Sequence, residues 1–244
     1  MRRVLNVAAR HRVIAILIVT LLAGAILVPG FTSLTTAGLA LDRAASIGLL
    51  AIGLTVLLAA GQIDLSGGAV FAVSGIVAMA LQPSFGIGPS ALVGTAAGLL
   101  AGFVNGIVVV GFGINSLVAT LATLLAFRAL GHWITDSQPM SGTDIMFSLT
   151  ISQMFLGVLT LRAGMFLALL VLLHVWLTRA VGGRSLLALG SSPAAATASG
   201  LHAGRMMIAA FAFAGLLAGV AGCSRASRST PGLRSSAPTS PSWR

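Results

Sequence analysis

Three polar side chains, those of Gln62, Asp64 and Ser66, interrupt an otherwise apolar region in the stretch GQIDLSGGAV, which begins at Gly61. A carboxylate at the centre of a bilayer costs about 2.5–3.5 kcal/mol on insertion scales, so Asp64 must face protein, water or a headgroup. Two roles suit these residue types. Asp64 or Ser66 can cap a helix that begins near Leu65. The bend can instead line a solute path, because irregular backbone inside a membrane is tolerated only where it is buried in protein or faces water.

Other polar residues in apolar surroundings allow further chemistry. Asn105 and Asn115 can bind the hydroxyls of a sugar or bond to a neighbouring helix. An intramembrane carboxylate such as Asp64 can also couple transport to protons. Ser74 and His174 would form the pair of an intramembrane serine protease if the fold brought them together, although no motif supports that pairing.

The composition excludes several classes of protein. The chain is 57% hydrophobic and 7% charged, against roughly 25% charged residues in a soluble domain, so it is an integral membrane protein. All 14 basic residues are arginine. This excludes the phosphate-binding lysine of an ATPase loop and any Schiff base. The single cysteine, Cys223, excludes an intrachain disulfide and a CxxC site. We predict neither a metal nor a cofactor.

The spacing of apolar runs predicts an all-α, polytopic transmembrane bundle with the N-terminus in the cytoplasm. Each run is close to the ~20 residues that cross about 30 Å of hydrocarbon. The seven predicted spans are residues 13–28, 45–60, 66–82, 90–110, 116–134, 163–181 and 206–223. Recurring glycines, in GLLAGFVNG (98–106) and GLLAGVAG (215–222), predict close helix packing, or a seam that slides during transport.

The arginines set the orientation, since they concentrate on the cytoplasmic side. MRRVLNVAARHR precedes the first span, and the segment 178–205 carries Arg179, Arg184 and Arg205. The predicted outer loops, 29–44, 83–89 and 135–162, hold only Arg43 and Arg162, and Arg128 lies near the outer end of a helix. The net charge of +10 therefore reflects membrane orientation, and no nucleic acid partner is expected.

Three motifs in the same order resemble the membrane subunits of bacterial ATP-binding cassette (ABC) importers for ribose, other monosaccharides and autoinducer-2. The first is AIGLTVLLAAGQIDLSGGAVFAVSGIVAMAL (51–81) and the second is GLLAGFVNGIVVVGFGINSLVATLATLLAFRAL (98–130). The third, GRSLLALGSSPAAATASGL (183–201), resembles the cytoplasmic loop of that family. We accordingly predict a substrate path formed by Asp64, Ser66, Asn105, Asn115 and Thr120.

The third motif also has a physical interpretation. Pro193 suits the first turn of a short helix capped by Ser191 or Ser192, and the alanines offer a smooth surface that can dock into a partner's groove. In the family that it resembles, this loop rests on the cytoplasmic ATPase. The residues predicted to couple to that ATPase are Arg184, Gly190, Pro193, Ala195, Ala196, Ser199 and Gly200.

The resemblance implies a transport subunit without its own ATPase, located in the bacterial inner (plasma) membrane, that moves a ribose-like monosaccharide by alternating access. It also implies four partners: cytoplasmic ATP-binding subunits, a periplasmic sugar-binding protein, a second permease subunit (identical or similar) and the lipid bilayer. The similarity covers about 5–222. We expect residues 1–223 to be an incomplete permease domain and 224–244, rich in Ser, Pro and Arg, to be a disordered tail from truncation or a frameshift. A non-functional remnant and a proton-coupled secondary carrier are the alternatives.

Overall fold

The computed structural model describes residues 12–138, 140, 154–155 and 159–226, and these form a helical bundle with one short pair of strands. The fold class predicted from the sequence, all-α and polytopic, is confirmed. The helices are α1 (Arg12–Leu27), α2 (Leu34–Ala59), α3 (Gly67–Phe85), α4 (Ile87–Gly111), α5 (Ser116–Thr135), α6 (Leu161–Arg179), α7 (Val181–Ser191), α8 (Pro193–Ala198) and α9 (Ala203–Ala226). Strands β1 (Met154–Phe155) and β2 (Leu159–Thr160) pair antiparallel before α6.

Within the described residues, six helices are long and apolar enough to cross a membrane: α2, α3, α4, α5, α6 and α9. Each overlaps one of the spans predicted from the sequence. The apolar part of α1, Ile16–Leu27, is shorter than these. The tail predicted for 224–244 begins inside α9, and the rest of it lies outside the described residues.

Helix α9 lies at the centre of the bundle and packs against α4, α3 and α2. Glycines remove the side chains where α4 and α9 touch. A Cβ atom on Gly102 would lie 2.9 Å from the Cα atom of Gly215, and one on Gly98 would lie 2.7 Å from the Cα atom of Gly219. Two helices whose backbones approach this closely gain dispersion contacts that lipid cannot replace. The predicted role of these glycines in close helix packing is confirmed.

Two predicted boundaries are wrong at one end of the bundle. Residues 34–44, predicted as part of an outer loop, belong to α2, whose first turn is capped by Ser33 accepting a hydrogen bond from the Thr36 N–H at 3.1 Å. Arg162, also predicted in a loop, lies in the first turn of α6. Charged residues are expected in loops rather than in membrane spans. Asp42 and Arg162 instead pair with each other at 3.2 Å and are buried inside helices.

The connecting segments gather at two ends of the bundle. Residues 60–66, the α4–α5 connection and α7 with α8 meet at one end, because Gly61 lies against Gly190 and Ile63 bonds to Ser116. We call this the α7 end and the opposite one, where Asp42 and Arg162 lie, the Arg162 end. The arginine distribution predicts that the α7 end faces the cytoplasm.

Candidate functional site

The segment between α2 and α3 forms a polar bend, residues 60–66. Gly61 has a φ of 72°, a left-handed conformation that glycine adopts without the steric penalty of a Cβ atom, and the chain reverses there. Oδ1 of Asp64 then accepts hydrogen bonds from both the backbone N–H and the hydroxyl of Ser66, each at 2.7 Å. The carboxylate thus fixes the conformation of the bend.

The predicted capping role of these two residues is wrong in its detail. Helix α3 begins at Gly67 with Ser66 as its N-cap residue, but the Ser66 side chain makes no capping bond to the helix. Its hydroxyl is directed to Asp64 instead. The charge-assisted bond to a carboxylate is stronger than a bond to a neutral backbone group, which explains the preference.

Asn105, on α4, extends this arrangement across the helix interface. Its Nδ2 donates to Oγ of Ser66 at 2.7 Å, and that hydroxyl donates to Asp64. Asn105 is 1% exposed, Ser66 0% and Asp64 9%. The Oδ1 atom of Asn105 is buried and has no hydrogen-bond partner in the described structure.

Helix α5 satisfies the backbone of the bend from the other side. The N–H of Leu65 donates to Oγ1 of Thr120 at 3.1 Å, and the N–H of Ile63 donates to Oγ of Ser116 at 3.2 Å. Thr120 is fully buried and its hydroxyl donates to the Ser116 carbonyl oxygen at 2.7 Å. We name Asp64, Ser66, Asn105 and Thr120 the polar cluster.

The remaining predicted path residue, Asn115, lies outside the polar cluster. It is exposed and caps α5, where its Oδ1 accepts a hydrogen bond from the Leu117 N–H at 2.9 Å. Such a cap stabilises the start of a helix by about 1 kcal/mol. The structure therefore brings four of the five predicted path residues together and assigns the fifth a local structural contact.

Burial alters the acidity of the carboxyl group in the bend. Desolvation raises the pKa of Asp64 above its ordinary value of 3.8, and the hydrogen bonds from the hydroxyl and N–H of Ser66 partly oppose that effect. A buried carboxylate is disfavoured relative to its neutral form unless donors compensate for lost water. In this bend the two hydrogen bonds from Ser66 offset only part of the desolvation, so the pKa of Asp64 remains raised.

The predicted coupling segment contains one helix more than the sequence analysis gave it. Helix α7 precedes the short helix and buries Gly183, Leu186 and Leu189, spaced three residues apart. Gly183 lies against the backbone of α6, where a Cβ atom would come 2.6 Å from the Cα atom of Leu177. The three-residue spacing of the leucines could have predicted this helix. The two glycines at 182–183 argued against it, because glycine disfavours helix.

The short helix itself, α8, was predicted correctly. Oγ of Ser192 accepts a hydrogen bond from the Ala195 N–H at 3.3 Å, and Pro193 occupies the first turn. Ala196 faces the bundle and is 4% exposed, whereas Pro193 and Ala195 are exposed. Arg184, Ser199 and Gly200 are also exposed, and Gly200 ends the segment with a φ of 83°.

The coupling segment touches the polar bend directly. Gly190, near the end of α7, packs on the chain from Ala59 to Gly61. A Cβ atom on Gly190 would lie 3.0 Å from the Gly61 nitrogen, and one on Gly61 would lie 3.3 Å from the Gly190 carbonyl oxygen. No side chain separates the two segments, so their backbones are in direct contact.

A second polar network, at the Arg162 end, was missed by sequence reasoning. Arg162 bonds Asp42 at 3.2 Å and the carbonyl oxygen of Ser224 at 2.5 Å, while the Thr160 hydroxyl donates to Asp42 at 2.7 Å. These bonds join α2, α6 and the end of α9. Residues so far apart in the sequence carry no periodic signal, and only the fold brings them together.

The protease alternative finds no support in the described residues. The hydroxyl of Ser74 is buried without a hydrogen-bond partner, and His174 lies exposed on α6. A serine nucleophile needs a base within hydrogen-bonding reach, and His174 does not provide one here.

Comparisons with known proteins identify the family of the chain. Residues 36–232 match the family model described as "Branched-chain amino acid transport system / permease component". The chain is 34% identical over 196 residues to the "Autoinducer 2 import system permease protein LsrC" of Enterobacter sp. (strain 638), covering 80% of this chain and 57% of that protein. The LsrC protein of Yersinia pestis (strain Pestoides F) is 34% identical over 204 residues, covering 79% and 55%.

A relative with a different printed substrate matches over a longer stretch. The "L-arabinose transport system permease protein AraH" of Escherichia coli (strain K12) is 34% identical over 227 residues, covering 91% of this chain and 68% of that protein. The chain spans little more than half the length of the two autoinducer 2 permeases. No solved structure matches it. The six apolar helices and the family match place the chain in the inner membrane as a multi-pass protein, and it belongs to the permease-component family of branched-chain amino acid transport systems.

Proposed function

We propose that the chain is the membrane subunit of an ABC importer for a monosaccharide, with a ribose-like sugar as the first candidate, and that it works by alternating access. A cytoplasmic ATP-binding subunit docks on α7 and α8, and a periplasmic sugar-binding protein delivers the solute at the Arg162 end. The chain supplies a path and a lever and performs no covalent chemistry. The relatives named for autoinducer 2 and L-arabinose support the importer class.

The observation that carries this proposal is the contact between Gly190 and Gly61. The exposed face of α8 offers small side chains to a partner, and α7 connects that face to the polar bend without an intervening side chain. Nucleotide binding shifts a transporter between states only if it interacts differently with each of them. A rigid contact between the docking face and the bend makes the free energy of ATPase binding depend on the conformation of the bend.

The polar cluster is the proposed solute path. Its support is the buried Oδ1 of Asn105, an acceptor without a partner in the described structure, beside the hydroxyls of Ser66 and Thr120. A sugar hydroxyl can donate to such an oxygen. An unsatisfied buried acceptor costs about 1–3 kcal/mol, and a hydroxyl donor on the solute would offset that cost.

A second permease subunit completes the proposed assembly. Only 17% of the apolar stretch of helix α5 is buried, and its Arg128 is exposed. An arginine within a span is costly against lipid and is normally found facing protein or water. We place the partner subunit, identical or similar, against this face of α5.

Binding of the ATPase provides the first test. The affinity-tagged chain is purified from its native membranes, and co-purifying ATP-binding cassette proteins are identified by mass spectrometry. The test variant is Ala195→Arg, which adds a bulky charge to the exposed face of α8. The matched control is Phe85→Arg, which adds the same charge at an exposed position (63%) at the other end of the bundle.

We expect the ATP-binding protein to co-purify with the native chain and with Phe85→Arg, and to be lost from Ala195→Arg. Ala196→Arg is unsuitable because that residue is buried and the variant would unfold. Equal recovery with Ala195→Arg, or no ATP-binding protein with any of the three, contradicts the coupling assignment. Uptake of labelled ribose, L-arabinose and autoinducer 2 in vesicles, with and without ATP, then separates an ABC importer from a proton-coupled carrier.

A further inference from the structure

A long apolar groove runs between α2, α6, α7 and α9 at the α7 end. It encloses about 660 Å³, within the range of roughly 300–1,000 Å³ typical of small-molecule sites. Its wall is almost wholly apolar, and its lining residues include Val56, Leu173, Trp176, Leu186, Met206 and Phe213. Leu172 and Trp176 remain 63% and 40% exposed, so the groove is open along one side. None of the polar cluster residues lines it.

The groove and the arginine beyond it together extend about the depth of one membrane leaflet. Its lining on α6 runs from Leu169 to Trp176, and Arg179 follows one helical turn later on the same face. Ten residues of helix from Leu169 to Arg179 rise about 15 Å. The hydrocarbon core of a bilayer is about 30 Å thick, so the groove reaches from a headgroup region to near the midplane.

Its rim at the α7 end is basic. Arg179 ends the α6 wall, and Arg205 precedes the lining residue Met206 on α9. Both arginines are exposed, and within the described residues neither side chain forms an ion pair or a hydrogen bond.

Acidic partners from the described part of the chain are absent at this rim. Asp42 is paired at the other end, Asp64 is buried in the polar cluster, and Asp136 follows α5 at the Arg162 end. A second copy in the same membrane orientation carries its exposed Asp136 at the Arg162 end, so its described residues offer this rim no carboxylate. A phospholipid offers both parts required: acyl chains for the wall and a phosphate for the arginines.

We propose that this groove is a binding site for a phospholipid with an anionic headgroup. One acyl chain lies along Leu173, Trp176 and Phe213, and the phosphate is held by Arg179 with Arg205 beside it. Basic pockets between membrane helices on the cytoplasmic side are a known setting for anionic lipid headgroups. The bound lipid fills the space between α6 and α9 and stabilises the packing of α7 on α6. The site does not depend on the transported solute.

Tryptophan fluorescence tests the site directly, because Trp176 lines the groove. The chain has two other tryptophans, Trp133 and Trp243. A chain with Trp133→Phe and Trp243→Phe reports from Trp176 alone. A chain with Trp176→Phe and Trp243→Phe reports from Trp133, which is 77% exposed on α5, away from the groove.

Each reporter chain is reconstituted in phosphatidylcholine vesicles that contain a small fraction of a brominated lipid. This lipid is either dibrominated phosphatidylglycerol or dibrominated phosphatidylcholine with the same chains. Bromine quenches only those tryptophans that the labelled chain touches, so the comparison measures which lipid occupies the groove.

We expect brominated phosphatidylglycerol to quench Trp176 at about a fivefold lower mole fraction than brominated phosphatidylcholine, the ratio expected from one arginine near a lipid surface. Trp133 should not discriminate. Arg179→Gln, made in the Trp176 reporter, should remove the preference, whereas Arg43→Gln, on α2 at the Arg162 end, should retain it. Both replace exposed arginines, and circular dichroism checks that each variant is folded.

Three results overturn the proposal. Equal quenching of Trp176 by the two lipids shows that the rim does not select an anion. A preference for phosphatidylglycerol that survives Arg179→Gln shows that residues other than Arg179 select the lipid. No quenching of Trp176 by either lipid shows that protein occupies the groove.

Discussion

Asp42 and Arg162 form an ion pair at 3.2 Å in which the carboxylate is 0% and the guanidinium 3% exposed. The same guanidinium holds the Ser224 carbonyl oxygen, so one side chain ties α2, α6 and α9 together. Desolvating two charges is expensive, and their mutual attraction, with the hydrogen bonds from Thr160 and to the Ser224 carbonyl, offsets part of that cost. The Arg162 end of the bundle is therefore held by directional polar bonds, as the bend at the α7 end is held by those of the polar cluster.

Removing the arginine should be severely destabilising. Arg162→Met leaves Asp42 buried without its cation, and we expect a loss of about 3–5 kcal/mol. Because Cys223 is the only cysteine and is buried, its reaction with a fluorogenic maleimide on heating reports unfolding in detergent. The double variant Asp42→Leu/Arg162→Met should recover part of the loss. A single variant as stable as the native chain contradicts the assigned pairing.

Adding one methyl group at Gly190 should disturb the bend. Gly190→Ala places a Cβ atom against the Ala59 carbonyl and the Gly61 nitrogen, and overpacking of this kind costs about 1–3 kcal/mol. We expect a lower unfolding temperature in the Cys223 assay and slower solute uptake. Gly68→Ala is the control, since nothing lies within 4 Å of its new Cβ atom. A Gly190→Ala protein that matches this control shows that the two segments are not rigidly joined.

The glycine contact between α4 and α9 should tolerate a larger side chain even less well than Gly190 does. Gly102→Leu cannot fit without separating the helices, because a Cβ atom there already lies 2.9 Å from the Cα atom of Gly215. We expect loss of folded protein from the membrane fraction. Gly111→Leu, whose Cβ atom would meet its nearest neighbour at 3.7 Å, should insert and fold. Equal yields of the two variants would argue against backbone contact between α4 and α9.

Replacing Thr120 should lower the stability of the fold more than the small size of its side chain suggests. Thr120→Val preserves the shape but leaves the partly buried Leu65 N–H without its acceptor, and an unsatisfied donor costs about 1–3 kcal/mol when fully buried, which sets the upper limit here. Asn115→Ala, which removes only the cap of α5, should cost about 1 kcal/mol. If Thr120 also lines the path, Thr120→Val lowers uptake per folded molecule, and Asn115→Ala does not. Unfolding curves and uptake rates measured on the same preparations separate the two effects.

Asp64 should make stability fall as pH rises. Its pKa is raised in the folded chain, so the folded state binds the proton more tightly than the unfolded state does. The resulting stabilisation is fully present below the ordinary pKa of 3.8 and is lost as pH rises through the higher folded value. Asp64→Asn removes this contribution at every pH. The unfolding free energy of the native chain relative to Asp64→Asn, measured across that window, should therefore rise as pH falls, and a difference that does not change with pH would contradict the raised pKa.

The membrane spans were predictable because each depends on a local run of apolar residues, and the α8 cap on adjacent residues such as Ser192 and Pro193. The clustering of Asp64, Ser66, Asn105 and Thr120 was anticipated through family resemblance, but their hydrogen bonds were not. The first turns of α2 and α6 were missed because Asp42 and Arg162 each look unsuited to a span alone. Their mutual neutralisation depends on a contact between residues 120 positions apart, which no local pattern encodes.

The burial of Cys223, whose Sγ lies 3.6 Å from the Ser74 carbonyl oxygen, has a practical consequence for mapping the assembly. A cysteine introduced at an exposed position such as Ala195 would be the reactive thiol of the folded chain without first removing the native one. The absence of lysine also keeps amine-directed reagents away from every side chain. Site-specific cross-linking can therefore start from the native sequence, with each adduct traceable to the single position under study.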